Sequence, residues 1–389
     1  MSRVLAEESM VALSIAAKDK QRISGSTHNF YRYPARFSPQ FAATAIECFS
    51  SPGDLVLDPY MGGGTTVVEA LLSGRHVVGN DLNSLATFVT RAKVTPLNFK
   101  EAATVRDWAL HIVPHLSYGD SRDTSKIIHP TKTRNLSLVR SRFIKKILAS
   151  ALSSIMRLPS RDAQHFARCG LLAVAQWALD GRKSQTTVSQ FRERLGSTIV
   201  AMLAAMDEFQ NSLVELEDRP RVVLTNGDAA DIDRLPIFSK KGERANLVVT
   251  SPPYPGIHIL YHRWQVDGRR ETPAPYWIAD CADGQGASFY NFGDRRERNV
   301  TTYFATSLST LRAIRRVMAQ GAVIVQMIAF GEPKRQLPRY LENMEIAGFN
   351  ELRVRSKRIW RKVPNRRWHA SIGDQTSSPR EVVLVHEAI

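Results

Sequence analysis

The stretch LVLDPYMGGGTTVVEALLSGRHVVGNDL, residues 55–82, constrains the fold more than any other. An apolar run ends in Asp58-Pro59 and, two residues on, meets three consecutive glycines, Gly62, Gly63 and Gly64. A helix-compatible segment follows and stops near Gly74, and a second apolar run then ends in Asp81. Strand, glycine turn, helix and strand in this order open a doubly wound sheet, because parallel strands need a helical crossover. A further helix is predicted from about Ser84 to Lys93.

The rhythm returns after residue 220. RVVLTNGD (221–228), NLVVTSPPY (246–254) and AVIVQM (322–327) read as buried strands, with helices near 302–318 and 335–347. ELRVRSKRI (351–359) and EVVLVHEA (381–388) are joined by a loop too short for a crossover, so they are expected to pair antiparallel. The expected fold class is α/β, a Rossmann-like seven-stranded mixed sheet with its last strand antiparallel. Helix-compatible segments at 136–156, 163–180 and 187–217 interrupt the alternation. They predict a helical insertion over 100–218 between a cofactor half (20–99) and a catalytic half (219–389).

Charge narrows the partners. The net charge of +16 favours polyanions. Residues 131–200 hold 13 Lys or Arg against three Asp or Glu, which fits a solvated helical face or a nucleic-acid surface. Cys48, Cys169 and Cys281 lie far apart and form neither a disulfide framework nor a zinc pattern. His258 and His262 lack further ligands at zinc spacing. No metal is expected. No apolar run reaches the ~18 residues of a membrane span, and the N-terminus does not read as a signal peptide, so a cytoplasmic setting is expected.

The glycine turn is not a phosphate loop. Thr65 and Thr66 follow Gly64 with no lysine, and the dinucleotide pattern GxGxxG is absent. Asp58, Asp81 and Asp228 each end a predicted strand and would meet at the C-terminal edge of the sheet, where such folds bind ligands. Converging carboxylates disfavour a phosphate-rich cofactor and favour a cationic one. S-adenosylmethionine (AdoMet) offers a sulfonium, an ammonium and a ribose without phosphate. Taken singly, each acid fits a cap and the glycines fit an ordinary turn.

TSPPYPG (250–256) follows a buried strand with two prolines that neither donate to a ladder nor continue a helix. A rigid turn is the simplest reading. The alternative is a turn whose fixed carbonyls face a substrate.

These motifs resemble those of the amino-methylating DNA methyltransferases. VLDPYMGGGTT is similar to the family's cofactor motif DPFxGxGT, with Tyr60 where Phe is common, and TSPPY is similar to the catalytic motif [DNS]PP[YFW]. HNFYRYPARFSPQ (28–40) resembles the segment that closes over the methionine end of the cofactor. The resemblance covers roughly 28–93 and 221–389 and omits the basic insert. It implies AdoMet as cofactor, with Tyr33, Pro34, Arg36, Phe37, Asp58, Pro59, Tyr60, Gly62, Gly63, Gly64, Thr65, Asp81 and Asp228 binding it. It implies that Ser251, Pro252, Pro253 and Tyr254 act on an exocyclic amine of a base flipped out of double-stranded DNA. Serine at the first motif position resembles the cytosine-N4 subgroup more than the adenine-N6 subgroup. No cysteine follows a proline, consistent with direct methyl transfer.

IHILYHRWQVDGRR (257–270) interleaves aromatic and basic residues, and His262 and Arg263 are candidate DNA contacts there. VPNRRWH (363–369) offers Arg366, Arg367 and Trp368 at the same sheet edge. Tyr276, Trp277, Phe289, Tyr290 and Phe292 fit base stacking or a packed aromatic loop equally. The motifs leave open an adenine-N6 enzyme, an RNA or protein methyltransferase of this fold, and a DNA-binding protein without catalysis. A cognate restriction enzyme as partner and the oligomeric state are likewise open.

Overall fold

The computed structural model describes residues 3–19, 25–33, 37–117, 127–137, 142–182, 184–255, 263–266, 268, 270–283, 292, 300–353, 358–362 and 380–389. Four parallel strands come first, β1 (Leu55–Asp58), β2 (His76–Asp81), β3 (Val222–Asn226) and β4 (Ala245–Thr250). A hairpin of β5 (Trp264–Val266) and β6 (Arg270–Thr272) stands apart from them. The main sheet resumes with β7 (Met318–Ala329), β8 (Phe349–Glu351), β9 (Ile359–Lys362) and β10 (Arg380–Ala388).

The strand order is β3-β2-β1-β4-β7-β10-β8, with β9 pairing β10 off that path. β10 is antiparallel to β7 and to β8, so the expected mixed sheet with a reversed last strand is present. This is a Rossmann-like α/β fold. One boundary differs from expectation. The stretch 351–359 is shared between two strands: β8 ends at Glu351 and β9 begins at Ile359, so the edge of β10 is covered in two pieces. Glu351 holds both Arg353 and Arg358 by its carboxylate, which ties the two pieces together.

Pleating sorts the strand residues between two apolar layers, since successive side chains face opposite sides. Leu57, Val78, Val248, Ile324 and Leu384 face the layer formed with helices Thr301–Val317 and Pro333–Ile346. Val56, Val77, Leu247, Val249, Val325 and Val385 face the other layer, which includes helices Pro39–Phe49 and Thr65–Leu72. An N-terminal helix, Arg3–Lys18, missing from the sequence reading, packs on this side too.

Between residues 99 and 214 the longer elements are helices: Phe99–Asp107, Arg142–Ile155, Arg161–Leu179 and Val188–Val214. Several of their starts are set by side chains that accept from otherwise unpaired N–H groups. Asn98 with Glu101, and Thr187 with Gln190, form capping boxes, and Ser160 accepts from Ala163. These helices share an apolar cluster with the sheet face that packs on helices Pro39–Phe49 and Thr65–Leu72. His165 Nε2 also meets the Phe88 carbonyl at 2.8 Å, joining the segment to helix Ser84–Val94. Among the described residues, no helix is long and apolar enough to cross a membrane.

The chain leaves β1 for β2 and β3 on one side, then returns to β4 on the other. That reversal opens a crevice at the C-terminal ends of β1 and β4. Asp58 and Thr250 end those two strands.

Candidate active site

Asp58 and Asp81 end adjoining strands beside the glycine turn, whereas Asp228, expected at a strand end, lies two residues beyond β3, which stops at Asn226. Asp58 is buried, and its Oδ1 accepts from Thr250 Oγ1 at 2.7 Å and from the Tyr60 N–H at 3.1 Å. Burial pushes its carboxyl up to about 7, although the Thr250, Thr66 and Tyr60 donors pull the other way. Asp81 accepts from the Gly62 N–H at 2.9 Å through Oδ2 and from the Asn83 N–H at 2.8 Å through Oδ1. Its carboxyl is likewise pushed up by burial, to about 6, although part of the side chain reaches solvent. Two raised carboxyls at adjoining strand ends are a donor set suited to a cation, which favours their ionised forms.

The glycine turn is shaped by its neighbours. Gly64 has φ +75° and leads into helix Thr65–Leu72. A Cβ on Gly63 would lie 2.7 Å from the Tyr33 Cβ, and one on Gly64 would lie 2.6 Å from the Thr90 side chain. The close approaches within the protein are those of Tyr33 and Thr90. Beneath the turn the buried Lys93 Nζ donates to the Gly63 carbonyl at 2.6 Å.

Tyr33, from the segment read as closing over the cofactor, lies on this turn and its hydroxyl accepts from Asn83 Nδ2 at 3.2 Å. Phe37 is buried edge-on against Phe41 with ring centres 5.4 Å apart. Pro34 and Arg36 lie outside the described residues. Pro59 accepts from Asn80 Nδ2 at 3.4 Å through its carbonyl, and Tyr60 faces Phe292 with ring centres 5.8 Å apart. Thr65 is buried at the helix start. Asp228 is exposed and caps a short turn, accepting from the Ala230 N–H at 2.9 Å.

The Ser-Pro-Pro-Tyr segment is held at three points. Ser251 Oγ donates to the Met327 carbonyl of β7 at 2.9 Å. Tyr303 Oη donates to the Pro253 carbonyl at 2.8 Å. Tyr254 Oη donates to Glu381 Oε1 of β10 at 2.9 Å, and lies 3.1 Å from Ser251 Oγ. Ser251 has one proton and a carbonyl can only accept, so that proton goes to Met327. What Ser251 offers any further partner is acceptor lone pairs.

Several of these residues were missed in the sequence. Thr250 sits inside the quoted motif, and its position before Ser251 at a strand end was the available signal. Lys93 follows Arg91 by two residues and Glu381 follows Arg380, so no apolar run marks either as buried. Tyr303 gave no distinguishing pattern.

The DNA-side candidates separate. Arg263 pairs with Asp283 at 2.9 Å, both largely buried. Tyr276 and Trp277 are buried, with Tyr276 Oη donating to Asn83 Oδ1 at 3.1 Å and Trp277 Nε1 to the Ile127 carbonyl at 2.8 Å. These two rings are packed parts of the protein. Phe292 lies between Tyr60 and Tyr303, 5.7 Å from the latter ring. His262, Arg366, Arg367 and Trp368, with Phe289 and Tyr290, lie outside the described residues.

Known proteins share this framework in part. Residues 14–87 match the family model described as a DNA methylase. The type II methyltransferase M.MvaI of Kocuria varians is 39% identical over 74 residues, 18% of this chain and 16% of that protein. M.BsoBI of Geobacillus stearothermophilus is 41% identical over 58 residues, 15% and 11% of the two chains. The aligned parts thus span well under a quarter of the length of these relatives. Among solved structures, TrmN from Thermus thermophilus aligns over 93% of this chain and 52% of its own, at 12% identity and a TM-score of 0.35. That likeness is too distant to argue from. Over residues 14–87 the chain is therefore similar to the DNA methylase family and to these type II methyltransferases.

Proposed function

We infer that the protein transfers a methyl group from AdoMet to an exocyclic amine of a base flipped out of double-stranded DNA, with cytosine N4 as the target. The observation that carries this reading is Ser251. Its proton is committed to the Met327 carbonyl, so Oγ is left as an acceptor at the crevice beside Asp58. An exocyclic amine is a poor nucleophile because its lone pair is delocalised into the ring. An acceptor for its N–H draws the nitrogen towards tetrahedral geometry and frees that lone pair. Ser251 Oγ and the Pro252 carbonyl are the acceptors assigned here, fixed by proline backbone geometry and needing no reorganisation.

Asp58 and Asp81 would hold the cofactor's cationic and ribose groups, with Tyr33 and the glycine turn beside them. AdoMet, when bound, supplies an electrophilic methyl on its sulfonium. The protein's part is placement in line with the amine. The deprotonation of the methylated nitrogen needs no dedicated strong base, because its acidity rises as it gains the methyl. Serine in place of Asp or Asn at position 251 favours cytosine within the family's pattern.

Labelled methyl transfer to duplex DNA, bulk RNA and protein in parallel tests this. Label in DNA alone is expected, and label confined to RNA or protein would replace the substrate. The basic segment 100–218 is assigned to DNA contact on its charge. Reversing charges there should weaken DNA binding and flatten its salt dependence, and an unchanged salt slope would remove the assignment.

A further inference from the structure

Behind the catalytic tyrosine lies a buried ion pair for which the methyl-transfer chemistry has no direct use. Glu381 is 1% exposed at the start of β10. Its Oε1 accepts from Tyr254 Oη at 2.9 Å, while Oε2 faces Arg361 at 2.6 Å from Nε and 2.5 Å from Nη2. Glu381 and Arg361 are register partners across β10 and β9, so the pairing is built into the sheet. Arg361 Nη1 also donates to the Ala17 carbonyl of the N-terminal helix at 3.4 Å.

The consequence lies in where two protons go. Ser251 and Tyr254 bring their oxygens to 3.1 Å, a distance at which either could donate to the other. The Ser251 proton is taken by the Met327 carbonyl. Ser251 Oγ and Glu381 Oε1 both lie within reach of the Tyr254 proton. A carboxylate is the stronger acceptor, and its second oxygen is already held by the guanidinium, which keeps Oε1 turned to the phenol. Were the Tyr254 proton to turn to Ser251 Oγ instead, it would occupy one of that oxygen's two lone pairs and weaken it as an acceptor for an incoming amine.

We propose that Glu381, steadied by Arg361, is a positioning residue that holds the Tyr254 proton away from Ser251 and so keeps Ser251 Oγ an acceptor for the substrate amine. This rests on the amine-methylating reading of the site. It also makes Tyr254 more than a stacking ring. Glutamine at 381 can turn its amide N–H towards the phenol oxygen, and the tyrosine proton is then released to Ser251.

The test is a double-mutant cycle on the full chain with AdoMet and duplex DNA. Glu381→Gln should lower kcat about tenfold or more while KM for AdoMet stays within about twofold. In a Tyr254→Phe background there is no phenol proton to hold, so Glu381→Gln should cost nothing further. Because Glu381→Gln leaves Arg361 buried without its partner, the Glu381→Gln/Arg361→Met pair is run beside it to separate lost folding from lost positioning. It should show the same kcat loss with a restored melting temperature. Equal losses with Tyr254 intact and in the Tyr254→Phe background, or an unchanged kcat, would overturn the inference. A wild-type protein that methylates no DNA would overturn the underlying reading instead. The Tyr254 Cζ resonance in tyrosine-labelled protein then still reports the contact: it should move in Glu381→Gln, and no movement refutes the hold.

Discussion

Thr250 Oγ1 donates to Asp58 Oδ1 across 2.7 Å, and these residues end the two strands on either side of the crevice. One hydrogen bond therefore links the end of β1 to the start of the Ser-Pro-Pro-Tyr turn. Asp58 is pushed up to about 7 and Asp81 to about 6, both by burial. A cationic ligand binds the ionised forms. AdoMet affinity should therefore fall as pH drops from 8 to 5, by at most about tenfold per unit for each group titrating. The sign for folding is opposite. Both folded values lie above the unfolded ones, so the contribution to stability is greatest below about 4 and is lost as pH rises through 6 and 7. Calorimetric titration across this range checks the binding half, with Asp58→Asn expected to flatten it.

Gly64→Ala forces a side chain into a positive-φ position and into the Thr90 side chain 2.6 Å away. A loss of stability of roughly 1–3 kcal/mol is expected, together with weaker AdoMet binding. Thermal unfolding and equilibrium binding measure the two effects. A Thr90→Ala partner substitution should ease the clash, leaving only the Thr90 Cβ at 3.0 Å, but not the backbone strain.

Lys93 holds the Gly63 carbonyl from below at 2.6 Å. Lys93→Met keeps the volume and removes the donor, leaving a buried carbonyl short of a partner. The turn should loosen, with a cost of about 1–3 kcal/mol and reduced AdoMet affinity. Unfolding by denaturant gives the first quantity. DNA affinity measured without cofactor should be unaffected.

Ser251→Ala removes the proposed amine acceptor without touching the cofactor side. A fall in kcat of about 100-fold is expected, by analogy with loss of one preorganised hydrogen-bonding group, with AdoMet binding near wild type. Steady-state kinetics beside direct binding separates this from a misfolded site.

Much of this site was legible because it lies at strand ends, where local pattern and topology coincide. Asp58, the glycine run and Asp81 are read from one continuous stretch, and Ser251–Tyr254 from another. What escaped notice depends on register between distant segments. Glu381 meets Tyr254 only because β10 is inserted antiparallel beside β7, and its partner Arg361 lies on the neighbouring antiparallel strand. Lys93 is set under Gly63 by helix packing. The division between β8 and β9 also had no local mark, since RVRSKR reads as a continuous alternating segment. Tyr276 and Trp277 show the opposite case: their types suit base stacking, and burial decides for packing.

Nucleoside mass spectrometry of duplex DNA incubated with the protein and methyl-labelled AdoMet tests the central claim most directly. The account predicts labelled N4-methylcytosine, abolished by Ser251→Ala. Labelled N6-methyladenine without N4-methylcytosine would contradict the base assignment, and AdoMet binding with no label in any DNA would contradict the activity itself.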